Sequence, residues 1–540
     1  MRNRIITYRT SIKSTGFLLA LILMITSCTK DFEEINQPWM QPTQTSMAPL
    51  INSVVESLKL GWDEQFYVHN EVLYKQTQLA ALTSEAWSNL SIGTEDIWSN
   101  YYRTLVNIRD IEGRIAVLEK EQSPESLNNL KGMIKILVAY KTFRVTDLFG
   151  DMPFFDAGKG FDGIEYIRPK FDTQEEIYKY LLNDLQWAAE NIDYVNDSIN
   201  GEAYYRIQEF DNLLHGDLLM WVKFANSLRL RHAMRIAEVE PVLAGEIIGD
   251  ILLNELPVLE GYNIDTPILE SVLMNPAEQS WLRQSSFWSF SEHKNLRMGS
   301  VVWHEMSNHD SIDGSGIFDP RAFIFFESNN EGEWVPYPQL PDASTTPAGG
   351  IPYGNHRDIN YPIKGTDCIY SPFNYYLIRD EDDIPEILMT GAEVHYIKAE
   401  AYYRGIGVPM DEGQADLEYF AGALASVAFW KQVKEESVIW ENVDPGFENT
   451  NAYNVANLIF FAENKLEQLY AQRWLDAFRQ PWEAYSLARR TGATPREGEP
   501  INHFRLPYPP SEIEYNAQNA LEAIGSQGGD DPINKLWWIP

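Results

Sequence analysis

Two cysteines in 540 residues, Cys28 and Cys368, exclude a disulfide framework. A chain of this length without staples is held by its core. Basic charge is scarce too: 43 Lys and Arg stand against 78 Asp and Glu, a formal net charge of −35. So acidic a surface repels phosphate backbones and excludes nucleic acid as a partner. The apolar run near the N-terminus, Gly16 to Ile25, has ten residues, whereas a spanning helix needs about 20. No G-x-S-x-G elbow and no Walker loop occurs. In His304-Glu305-Met306-Ser307-Asn308-His309 the histidines are five apart, not the four that bring both to one zinc on a helix face. The acidic stretches Asp310 to Asp319 and Asp380 to Asp383 lack the spaced oxygen ligands of a calcium loop and read as solvated turns. With 78 acids, pairs of carboxylates arise by chance, so a hydrolase stays as a minor alternative. The reading is of a protein that is not an enzyme, with no catalytic residue, cofactor or metal.

What is present begins at the N-terminus. Arg2, Arg4, Arg9 and Lys13 precede the apolar run, and no acid occurs among the first 27 residues. Basic, apolar and small residues in that order make an export signal, residues 1–27. Ile25-Thr26-Ser27-Cys28 resembles the lipobox of bacterial lipoproteins, whose cysteine becomes the lipidated first residue of the mature chain. Two or more acyl chains make such attachment stable. Residues 28–47 are polar and acidic, with two prolines, and read as a tether reaching about 25 Å. Cys368 is left as a buried or loop thiol.

Hydrophobic content of 44% and aromatic content of 13% describe a packed globular body from 48 to 540. Helical periodicity dominates its first part. Ile97, Tyr101, Leu105, Ile108, Ile111, Ile115 and Leu118 recur every three or four residues, with Thr94 as expected N-cap. Another helix opens at Ser123-Pro124-Glu125, and a third at the capping box Thr173-Gln174-Glu175-Glu176. Between about 255 and 385 the pattern changes. Residues 332–372 hold twelve Gly or Pro, against 62 in the whole chain, which marks a loop-rich insertion between helical parts at about 48–254 and 386–490. A C-terminal segment, 491–540, follows. The fold class is therefore mainly α, with helix pairs like tetratricopeptide units carrying an inserted binding region. Arg231 and Arg235 share a helix face and are expected to pair with carboxylates, and Arg489 and Arg490 to complement a helix end.

Six segments, in order, resemble the SusD/RagB outer-membrane nutrient-binding lipoproteins, in the branch described as SusD-like and starch-binding-associated. They are YKTFRVTDLFGDMPFFDA (140–157), GDLLMWVKFANSLRLRHAMRIA (216–237), FDPRAF (318–323), IPEILMTGAEVHYIKAEAYYRG (384–405), LEQLYAQRWLDAFRQPWEAYSLARRTGATP (466–495) and FRLPYPPSEIEYN (504–516). The resemblance implies a SusD-like α/α fold and a lipid-anchored protein on the outer face of the outer membrane. Its implied partner is a SusC-like TonB-dependent transporter, to which it delivers a captured glycan. Asp31, Glu33 and Glu34 then resemble a surface-export signal.

Flat aromatic faces suit the C–H faces of sugar rings, and Trp and Tyr supply them at small entropic cost. Trp281, Trp288, Trp303 and Trp334 fall within the insertion, with Tyr337 behind them, and Trp87 lies in a turn-like stretch ahead of Thr94. These six are the ligand-binding candidates. Trp98, Trp187, Trp221 and Trp474 sit within helical patterns and are assigned to core. Peptide capture on the same scaffold is the alternative to glycan capture.

Overall fold

The structure, a computed structural model, describes residues 47–83, 90–121, 127–196, 211–261, 269–274, 295–308, 311–348, 368–374, 385–436 and 464–540. The expectations for the signal peptide, Cys28, the tether and the Ser123-Pro124 helix start lie outside these residues. Residues 50–540 make one compact unit.

The helices follow from their stripes. Helix α1 spans Met47–Glu56 and α2 spans Leu90–Leu118, burying Ile97, Tyr101, Leu105, Ile108, Ile111 and Ile115. Helix α2 begins before Thr94. That threonine is buried within the first turns, where its hydroxyl donates to the Ser91 carbonyl at 3.2 Å and caps nothing. Helix α3, Asn128–Phe149, is buried on nearly every side, as befits a helix surrounded by others. It stops at Gly150, whose φ of +90° no β-carbon-bearing residue adopts easily, and whose N–H reaches the Thr146 carbonyl. Helix α4, Gln174–Asn191, opens with the expected capping box: Thr173 accepts from the Glu176 N–H, and the Glu176 carboxylate accepts from the Thr173 N–H. Helix α5 (Leu218–Arg235) packs on α4 and on α6 (Pro241–Leu253). The tetratricopeptide-like series thus runs through neighbouring helices in sequence order.

After the insertion come α9 (Gly391–Arg404), α10 (Glu412–Glu436), α11 (Lys465–Asp476) and α12 (Pro481–Thr491), with α7 (Ser300–Met306) and α8 (Ala322–Phe325) inside it. Helices α13 (Pro510–Tyr515) and α14 (Ala517–Ser526) close the chain. Among the described residues no helix is long and apolar enough to cross a membrane.

Buried charge ties the two helical parts together. Arg231 on α5 binds the Glu393 carboxylate on α9 and lies 3.6 Å from Glu483 on α12. Arg235, one turn on, bridges Asp147 on α3 to Glu483. Arg473 on α11 reaches Glu393 at 3.0 Å, and Arg490 on α12 forks onto Glu400 of α9 at 2.6 and 2.7 Å. Five helices meet in one satisfied network, which is what a buried guanidinium requires. Arg489 and Arg490 stand in the last turn of α12, as expected for a helix end, yet their side chains are buried: Arg489 donates to the carbonyls of Asp147 and Phe504.

Trp98, Trp221 and Trp474 are core residues. Trp187 differs: it is half-buried on the flank of α4, roofed by the ammonium groups of Lys131 and Lys135 at 5.0 and 5.4 Å. Cys368 is a buried thiol that donates to the Tyr370 carbonyl.

Candidate functional site

Two short antiparallel sheets hold the insertion. Strand β2 (Ser271–Met274) pairs with β4 (Glu386–Thr390), joining the point where the chain enters the insertion to the point where it leaves. Strand β1 (Ala81–Leu82) pairs with β3 (Leu296–Arg297), Ala81 opposite Arg297 and Leu82 opposite Leu296. Just beyond, the Thr83 N–H donates to the Asn295 carbonyl at 2.8 Å. The segment that carries Trp87 leaves from Thr83, and the segment that carries Trp281 and Trp288 ends at Asn295. Those three tryptophans lie outside the described residues, but the chain positions flanking them are hydrogen-bonded to each other.

The wall behind this junction is aromatic. Trp303 on α7 and Trp334 stack with centroids 6.1 Å apart and planes 8° from parallel, and Phe323 on α8 meets Trp334 edge-on at 5.3 Å. Trp334 is set by its backbone N–H, which donates to the Ile312 carbonyl at 2.6 Å, and by Gly314 beneath the ring. Gly314 has φ +83°, and a β-carbon there would lie 2.8 Å from the indole nitrogen of Trp334. Both rings are buried, exposed by 3% and 7%. Tyr337 is buried as well, meeting Tyr370 edge-on at 5.0 Å, with its backbone clasping Met298 and Ser300. Of the six candidates, then, the structure brings Trp303 and Trp334 together, places Tyr337 in an adjoining cluster, and spends all three on packing.

Sequence reasoning missed what braces this wall. Arg321, in the FDPRAF segment, is fully buried and donates to Asp319 (2.7 Å), to Ser426 Oγ on α10 (2.9 Å) and to Gln472 Oε1 on α11 (2.6 Å). An Asp-Pro-Arg triplet ahead of apolar residues is the signal that was available. His304 is exposed and 3.9 Å from Glu497, while burial pushes the Glu305 carboxyl up. His309, Asp310 and Asp380 to Asp383 lie outside the described residues. Asp313 accepts from Ser311 and Ser315, which hold its carboxyl down at about 2, as in a solvated Asx turn. Among the described residues no three His, Cys, Asp or Glu gather as metal ligands.

Comparisons with known proteins agree on fold and family. The fold is similar to that of a chitin-binding protein (22% identity, TM-score 0.67, covering 91% of this chain and 99% of that one). It is similar to a SusD homologue from Parabacteroides distasonis (20%, TM-score 0.66, 91% and 98%) and to a chitin-binding SusD homologue from Flavobacterium johnsoniae (19%, TM-score 0.62, 91% and 98%). A comparison with curated proteins finds no match. The model of the SusD-like family described as starch-binding, associating with the outer membrane, matches residues 39–502, so the chain belongs to that family.

Proposed function

We propose that this protein is a non-catalytic receptor for oligosaccharides, held by lipid on Cys28 at the outer face of the outer membrane. It passes its ligand to a SusC-like TonB-dependent transporter. The observation that carries the reading is the hydrogen bond from Thr83 to Asn295, because it joins the bases of the two tryptophan-bearing segments. In this reading Trp87, Trp281 and Trp288 supply the stacking faces, while Trp303, Trp334 and Tyr337, which are buried, belong to the packed wall of the insertion. Membership of a family described as starch-binding, and likeness to two chitin-binding proteins, support a glycan as ligand. Stacking on rings without an activated nucleophile binds a sugar and leaves its linkages intact.

The test is calorimetric titration with starch- and chitin-derived oligosaccharides. Replacing Trp87, Trp281 and Trp288 together with alanine is expected to weaken binding at least tenfold, since stacked rings contribute about 1 kcal/mol each beyond their burial. The helical circular dichroism should be unchanged. Equal affinity in the variant removes the proposed faces, and release of products from the sugars removes the binding-only reading.

A further inference from the structure

The stretch that leads into β1 holds a left-handed residue that is not glycine. Gln78, directly after the short helix Tyr74–Thr77, has φ +58°, a conformation that glycine adopts at less cost. Its buried side chain gives a reason for the glutamine. The amide donates to the Glu497 carbonyl at 2.9 Å and accepts from the Glu497 N–H at 2.8 Å. A side chain needs a donor and an acceptor side by side to pair in this way with one backbone residue. Arg496 adds a hydrogen bond to the Gln76 carbonyl.

From Glu497 the bonds run into the insertion and return. Ser300, the first residue of α7, donates its hydroxyl to the Glu497 carboxylate at 3.1 Å and accepts from the Gln339 N–H at 3.1 Å. The Gln339 amide then donates to the carbonyl of Ala80, one residue before β1, at 3.2 Å. Gln78, Glu497, Ser300, Gln339 and Ala80 thus close a ring drawn from four stretches of chain. Among the described residues the Gln339 side-chain oxygen is buried with no partner. Two unfavourable features, that oxygen and the left-handed glutamine, therefore sit in one ring. Such features persist where the surroundings hold them, and they gather at ligand clamps.

The ring lies at the root of both β1 and β3. Ala80 leads into Ala81 of β1, and Ser300 follows Arg297 of β3 by three residues. Behind it, the indole N–H of Trp474 on α11 donates to the Thr77 carbonyl at 2.8 Å, which ties the ring to the helical core. We propose that Gln78 is a positioning residue for ligand binding. Its clasp on Glu497 fixes the spacing of β1 and β3, and with it the placement of the two tryptophan-bearing segments that leave them. This rests on the receptor reading above, and Gln78 acts through the strands without touching the sugar.

The test is calorimetric titration of the full chain with the same starch- and chitin-derived oligosaccharides. Gln78→Gly suits the left-handed backbone and deletes the clasp, so binding should weaken at least fivefold while helical dichroism is unchanged. Thr83→Cys with Asn295→Cys continues the β1–β3 register, where facing residues stand about 4.5–5.5 Å apart, within disulfide reach. That disulfide should leave wild-type affinity unchanged and restore it to Gln78→Gly, and dithiothreitol should abolish the rescue. Wild-type affinity in Gln78→Gly without the disulfide overturns the positioning role and leaves the receptor standing. A loss that the disulfide does not restore, or a disulfide that itself weakens wild-type binding, shows that strand spacing is not what matters and also overturns it. A wild-type chain that binds none of these sugars removes the receptor reading, and the positioning role with it.

Discussion

At the scale of single residues, the buried charges carry the sharpest consequences. Burial pushes the Glu400 carboxyl up, but the guanidinium groups of Arg490, Arg473 and Arg404 outweigh it and hold the group at about 2. Its ordinary value is 4.5, so the folded chain binds the proton less readily than the unfolded one. The stabilisation is present in full above about pH 4.5 and is lost as pH falls toward 2. The gap corresponds to about 3 kcal/mol. Glu400→Gln should therefore cost about 3–5 kcal/mol at pH 7, because Arg490 is left buried without its charge partner. It should also flatten the fall in melting temperature between pH 4.5 and 2. Identical acid limbs for variant and wild type would remove Glu400 as the group responsible.

At the scale of elements, the two threonines make a controlled comparison. Thr173 caps α4 in full, and Thr173→Ala should cost about 1 kcal/mol in chemical denaturation, with most of it kept by Thr173→Ser. A serine that behaves like alanine would show that the hydroxyl carries none of it. The capping box was legible because its spacing is local. Thr94 looked equally good, with Glu95 and Asp96 behind it, but the helix starts at Leu90 and swallows it. Helix boundaries depend on what the preceding turn packs against, which no window of sequence contains. For the same reason the π-helix Glu64–Leu73 was invisible: it buries Glu64 against Arg144 of α3, a partner 80 positions along the chain. The amphipathic stripes, by contrast, came through as periodicity. The insertion was legible as a change in Gly and Pro content, whereas its two sheets, two to five residues per strand, were not, since pairings so short leave no alternation to read. The site was legible only as composition. Tryptophans in a loop-rich region can stack on sugar or on one another, and Trp303 and Trp334 stack on one another.

At the scale of the whole molecule, the insertion and the scaffold share one hydrophobic core. Phe325 on α8 lies flat on Phe478, 4.0 Å between centroids and 8° between planes, and Trp430 of α10 meets Phe325 edge-on at 4.9 Å. Phe478 sits in the turn that joins α11 to α12, the same two helices that supply Arg473 and Arg490 to the buried network. The aromatic wall therefore rests on the junction that also locks the two helical parts together. An insertion built this way cannot melt while its scaffold stays intact, because the same rings belong to both. Heating should give a single transition, with tryptophan fluorescence and far-ultraviolet dichroism coincident. Phe325→Ala should remove about 3–5 kcal/mol and lower both signals together by several degrees. If fluorescence instead falls early while dichroism keeps the wild-type midpoint, the insertion is a separate folding unit. Its tryptophans would then be held by the β2–β4 neck alone, not by the core that α8 enters.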